Sequence, residues 1–270
     1  MRVLSASELL GVWERGLNQS PVRRALDLLT VANPEHTMTQ LAELSIGCRD
    51  GLLLTLREWI FGSQIQSVAT CPQCSDRLEL SFEISDIRVP VVAEEKHQAS
   101  LLSRWFDRQQ PLTHRSGVVK FADYEVQFQL PNSLDLAACL DRIPALNAGT
   151  DNVTSPQRIL LERCLLAAHH RGQKQSIDRL PPEVINAVLA QMAADDPQAN
   201  VQLNLTCPSC SHQWRSHFDI VSFFWTEIQA WAIRTLREIN TIASTYGWTE
   251  AEILAMNPYR RYLYLEMIGR

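Results

Sequence analysis

The sequence predicts an α+β fold, mainly helical, organised around a four-cysteine zinc ribbon formed by two CxxC β-hairpins, with a small β-hairpin and further helices inserted between them. Three observations lead there. The pattern Cys71-Pro72-Gln73-Cys74 returns as Cys207-Pro208-Ser209-Cys210. Helical periodicity with start and stop signals fills both ends of the chain, and one alternating run folds back at Ala122-Asp123. The repeat also extends past the cysteines. Ser75 and Ser211, Leu78 and Trp214, Phe82 and Phe218, Glu83 and Asp219, and Ile84 and Ile220 recur at one constant shift, that from Cys71 to Cys207.

The segment from Met1 to Gly62 reads as helical. Ser5 and Glu8 form a capping-box pattern, with Leu4 and Leu9 placed as a hydrophobic staple, so a helix is expected from Ala6. Ser20 before Pro21 repeats the start signal, Leu26, Leu29 and Ala32 share a face, and Pro34 ends the segment. A third helix is expected from about Gly47 through Leu53, Leu56 and Ile60, stopping at Gly62.

The first CxxC pair follows directly. Zinc takes four soft ligands in a tetrahedron, and two residues between cysteines let a tight turn aim both sulfurs and nearby backbone N–H groups at one point. β-forming runs flank each turn: Gln64 to Thr70 and Leu78 to Ile84 around the first, Val201 to Thr206 and Trp214 to Ile220 around the second. Each copy is thus a hairpin whose tip supplies half of a closed shell. Both hairpins facing one Zn2+ make Cys71, Cys74, Cys207 and Cys210 the expected ligands of a structural zinc. The chain from Ser75 to Thr206 is then an insertion between the two ligand pairs. A redox dithiol would open a helix at its cysteines, whereas strands follow here, and an odd count of seven cysteines argues against a disulfide framework. Cys48, Cys139 and Cys164 read as core fillers, and His212 and His217 as exposed imidazoles beside the second pair. Four cysteines leave no position for water or substrate, so no catalytic residue is assigned.

Within the insertion, Val118 to Phe121 and Tyr124 to Leu130 alternate as a hairpin that Pro131 stops. A short helix near Leu134 to Leu140 and a loop from Asn147 to Ser155 follow. Ser155-Pro156 is expected to start a helix through Leu160 and Leu166 toward Gly172, with His169 and His170 favouring the negative end of its dipole. Pro181-Pro182 starts another toward Met192. The longest periodic segment holds Ile228, Trp231, Thr235, Ile239, Ile242 and Tyr246 before Gly247, and Thr249 and Asn257 then look like N-caps. The expected organisation is a helical segment over 1–62, a first knuckle hairpin over 63–88, an inserted α+β region over 89–199, a second knuckle hairpin over 200–220 and a helical segment over 221–270.

At 270 residues and 46% apolar content the chain can bury a sizeable core. Its longest apolar stretches are too short to cross a bilayer, and its amino terminus lacks a basic flank before an apolar block, so a cytoplasmic protein without membrane insertion is expected. A net charge of −5 argues against broad attraction to a phosphate backbone. A nucleic-acid-binding ribbon would want basic fingers, but the first copy carries Asp76, Glu79, Glu83 and Asp86 against Arg77 and Arg88. An enzyme would need a recognisable constellation, and no phosphate loop, nucleophile elbow or HExxH is present. Beside these stands a third class, a non-enzymatic assembly protein in which zinc ties the N-terminal helices to the C-terminal ones, with the nucleic-acid-binding zinc ribbon as its alternative.

A resemblance favours that class. Leu56-Arg57-Glu58 with Phe61-Gly62 before a CxxC knuckle, Asp196-Pro197 through Phe218-Asp219-Ile220, and Phe223-Phe224-Trp225 resemble baseplate-associated proteins of contractile phage tails and related bacterial injection systems, the group that includes T4-type baseplate hub assembly proteins. Tyr246-Gly247-Trp248, Glu252-Ile253-Leu254 and Arg260-Arg261-Tyr262-Leu263-Tyr264-Leu265-Glu266 are similar to the C-terminal motif of small proteins of that group. The resemblance implies a role in building or completing a baseplate or spike hub, as a chaperone or as a minor subunit, with baseplate, spike or tube subunits as partners.

Overall fold

Two compact units divide the chain in a computed structural model that describes residues 1–89, 116–146 and 156–269. One unit joins Met1–Pro34 to Asp219–Arg270, and the other is Glu35–Phe218. The expected loop over 147–155 and the stretch over 90–115 lie outside the described residues.

The first unit is helical. Ser5 opens the Ala6–Gly16 helix: its hydroxyl accepts the Glu8 N–H at 3.3 Å while the Glu8 carboxylate accepts the Ser5 N–H at 2.9 Å. Ser20 caps Pro21–Ala32, where proline occupies a position whose N–H has no helical partner. Arg24 of that helix donates to the Gly16 and Leu17 carbonyls at 2.8 and 3.0 Å, satisfying the end of the first helix, and its guanidinium lies 4.5 Å over the Trp225 ring. The long helix Ile220–Tyr246 starts at Asp219, whose carboxylate accepts the Val221 N–H at 2.9 Å, and stops at left-handed Gly247, φ 69°. Thr249 and Asn257 cap Glu250–Leu254 and Pro258–Ile268, as the sequence predicts. Leu10, Ala232, Ile239, Ile242 and Ile253 form the core; Tyr246 stacks on Trp248, which Tyr264 meets edge to face.

In the second unit the Ile46–Phe61 helix is buried nearly all round, and Gly62 ends it at φ 91°. An additional short helix, Met38–Ala42, precedes it; the Thr37 and Gln40 capping box that starts it is visible in the sequence. Next come the first knuckle hairpin, Gln64–Thr70 with Arg77–Glu83, and a single turn of helix at Ile84–Ile87. The central sheet is antiparallel: Ser116–Phe121, Tyr124–Gln129, Leu165–His170 and Gln173–Lys174, paired in that order. Pro182–Asp195 supplies Val184 and Val188 to the core of Val126, Phe128, Leu165 and Ala168 that the sheet builds.

The sheet corrects one expectation. The helix beginning at Pro156 ends at Cys164, and Leu165–His170 is a strand opposite Tyr124–Phe128. Its composition favours helix, but as a strand it buries Leu165 and Ala168 beside Val126 and Phe128 while Leu166 faces out, and His170 stacks on Tyr124 at 4.3 Å. Burial and cross-strand pairing outweigh local propensity. His169 and His170 therefore lie on a strand, not in the last turn of a helix. The helix expected over Leu134 to Leu140 is longer, Ser133–Leu146, and starts at Asn132, whose side chain accepts the Leu134 and Asp135 N–H groups. Ile84 and Ile220, expected at strand ends, each begin a helix: the Asp219 carboxylate caps the second, and at the first the Asp86 carboxylate reaches back to accept the Glu83 N–H at 2.9 Å.

Candidate metal centre

The two knuckles are built alike from their backbones. Cys71 N–H donates to the Asp76 carbonyl at 2.8 Å and Ser75 N–H to the Cys71 carbonyl at 2.9 Å; Cys207 N–H donates to His212 and Ser211 N–H to Cys207, both at 2.9 Å. Ser75 and Ser211 carry left-handed φ values of 62° and 59°, which turn the chain back into the second strand of each hairpin. Gln66 faces Ser81 in the first ladder, and the equivalent Gln202 faces the equivalent His217 in the second. The repeat read from the sequence is thus a structural repeat.

These turns bring the four predicted cysteines together within one chain. All four Sγ atoms lie within 4.8 Å of one another, with Cys71 to Cys210 at 3.7 Å and Cys74 to Cys207 at 3.6 Å. A tetrahedral zinc with Zn–S of about 2.3 Å requires S···S edges of about 3.8 Å, so both distances suit a shared ion and are far too long for a disulfide. Among the described residues this is the one cluster of three or more such side chains placed to hold a metal. Cys71 and Cys207 are buried against Leu78, with Leu80 and Trp214 alongside, while Cys74 is exposed. Phe82 meets Phe218 edge to face at 5.7 Å, the contact expected between equivalent positions of two facing repeats.

The donor set also fits a cation electrostatically. Desolvation alone would push the Cys71 thiol up, but the Cys74 and Gln73 N–H groups and the neighbouring Cys74 and Cys210 sulfurs bring it down to about 7. At Cys74 the Asp76 N–H favours the thiolate, yet crowding by Cys210, desolvation and the Cys207 and Cys71 sulfurs push it up to about 12. The four sulfurs can all be thiolates at this spacing only with a cation among them.

The remaining candidates take bland roles. His212 stacks on Trp214 at 5.9 Å and, like His217, lies outside the cysteine cluster. Cys48, Cys139 and Cys164 are buried at 3, 6 and 1% exposure, and burial pushes the Cys164 thiol up to about 12. One contact had no clear signal in the sequence: Ser209, between the second pair of cysteines, donates its hydroxyl to the Asp76 carboxylate of the first knuckle. The Phe82–Phe218 contact, by contrast, was available from the repeat shift.

Among the described residues no helix is long and apolar enough to cross a membrane. No curated protein and no solved structure matches the chain significantly. A family model described as T4 bacteriophage base plate protein does match, over residues 22–225, a span that holds both CxxC pairs and ends at Trp225. The chain belongs to the T4 bacteriophage base plate protein family.

Proposed function

We propose that this protein is a non-enzymatic, zinc-containing assembly factor or minor subunit of a contractile tail or injection-system baseplate or spike hub. The observation that carries the reading is a closed four-cysteine cluster inside a chain whose family match spans residues 22–225. A sulfur-only tetrahedron selects zinc over hard cations and leaves no coordination position for substrate, so the ion acts by holding structure. It joins Cys74 to Cys207 across the whole of the insertion, which restricts the unfolded chain and fixes the two hairpins as one body. Exposed residues of the last helix, Tyr259, Tyr262 and Met267, offer aromatic and thioether surface of the kind that partner subunits cover.

The test is co-expression with neighbouring baseplate, spike and tube subunits, affinity capture of this chain, and analysis of finished particles. Capture of one such subunit with absence from the particle assigns a chaperone; capture with retention assigns a resident part, and cytoplasmic residence before assembly fits both. No captured subunit, together with salt-sensitive binding to DNA or RNA, would replace the reading with a nucleic-acid-binding ribbon.

A further inference from the structure

We infer that Asp76 is the positioning residue of the metal centre, and that the clasp between its carboxylate and the Ser209 hydroxyl sets how fast the bound ion is lost. This rests on the metal reading above. Asp76 meets the site in two ways. Its carbonyl accepts the Cys71 N–H at 2.8 Å, and its carboxylate accepts the Ser209 hydroxyl and, at 3.0 Å, the Arg77 N–H. One residue thus holds the backbone of its own knuckle at Cys71 and ties that knuckle to the tip of the other.

The equivalent position of the second knuckle lacks this cross-tie. His212 repeats the backbone role, accepting the Cys207 N–H at 2.9 Å, but its ring stacks on Trp214 of the same hairpin. The clasp is therefore one-sided. It lies on the side where the ligands meet solvent, since Cys74 is exposed and Cys210 half-buried while Cys71 and Cys207 are 1% exposed. A competing chelator reaches the ion at Cys74 first, and release requires the two tips to part. The Asp76–Ser209 bond opposes that parting.

Charge alone predicts the opposite effect. Four thiolates around a divalent cation already carry net negative charge, so a neighbouring carboxylate repels the centre, and removing it would hold the ion more tightly. The sign of the effect separates the two accounts.

The experiment uses the full chain loaded with zinc and follows transfer of the ion to the colorimetric chelator 4-(2-pyridylazo)resorcinol. Asp76→Ala and Ser209→Ala should each speed transfer about 10-fold or more, the usual scale for lost outer-shell partners. The double variant should be no faster than Asp76→Ala, and Asp76→Asn should fall between wild type and Asp76→Ala because its amide oxygen still accepts from Ser209. Melting temperatures of the zinc-saturated proteins should stay within about 3 °C of one another, which sets the clasp apart from a general loss of stability. Slower or unchanged transfer in Ser209→Ala, a mild substitution on an exposed turn, would overturn the inference. A wild-type chain that holds no zinc would instead overturn the metal reading itself.

Discussion

Replacing one cysteine of the cluster, Cys207→Ser, should open the proposed zinc shell that would close the long loop between Cys74 and Cys207. By the chain-entropy relation for cross-links, closing a loop of roughly 130 residues restricts the unfolded chain by about 5 kcal/mol. For a body of this size each kcal/mol moves the melting temperature by about 2–4 °C, so losing the cross-link should lower it by about 10–20 °C. Calorimetry on the full chain, with metal content measured on the same samples, reads both quantities. Wild type stripped by chelator and Cys71→Ser should melt with Cys207→Ser, whereas Cys164→Ser, a buried thiol outside the cluster, should keep its metal. A Cys207→Ser protein that retains a full complement of zinc, or melts within about 3 °C of wild type, refutes the reasoning.

Three further outcomes follow from local geometry. Gly16→Ala places a methyl 2.2 Å from the Trp225 ring, an overlap that the first unit can relieve only by shifting packed groups, at about 1–3 kcal/mol; urea denaturation should show the loss. Ser75→Val puts a branched side chain at φ 62° and should cost about 1–2 kcal/mol, while Ser75→Gly leaves the turn unharmed, as paired melts of the zinc-loaded proteins would show. The Arg2 guanidinium and the Ser5 N–H hold the Glu8 carboxyl down to about 2 from its ordinary 4.5. A depressed carboxylate stabilises the fold above its unfolded value and loses that contribution as pH falls through the folded one. The melting difference between wild type and Glu8→Gln should therefore persist at neutral pH and shrink from about pH 4.5 toward pH 2; a difference that grows on acidification contradicts this.

The cap signals at Ser5, Ser20, Thr249 and Asn257, the stops at Gly62 and Gly247 and the hairpin at Ala122-Asp123 were legible because each is decided within a few residues by hydrogen bonds the backbone makes to its neighbours. The knuckles were legible for the same reason. A CxxC turn is local chemistry, and its repetition identified all four members of the cluster before any tertiary contact was known. Leu165–His170 defeats a local reading because its residues favour helix, and only the buried edge offered by Tyr124–Phe128 makes a strand the lower-energy state. The Asp76–Ser209 clasp was invisible because its partners lie far apart in the chain and neither residue type announces a partner at that distance. The sequence by itself determined which four cysteines come together and where the helices at Ala6, Pro21, Glu250 and Pro258 start, since those depend on short-range geometry. Tertiary structure decided that both half-sites close within one chain, and which strand completes the central sheet, because burial and long-range pairing are properties of the assembled core.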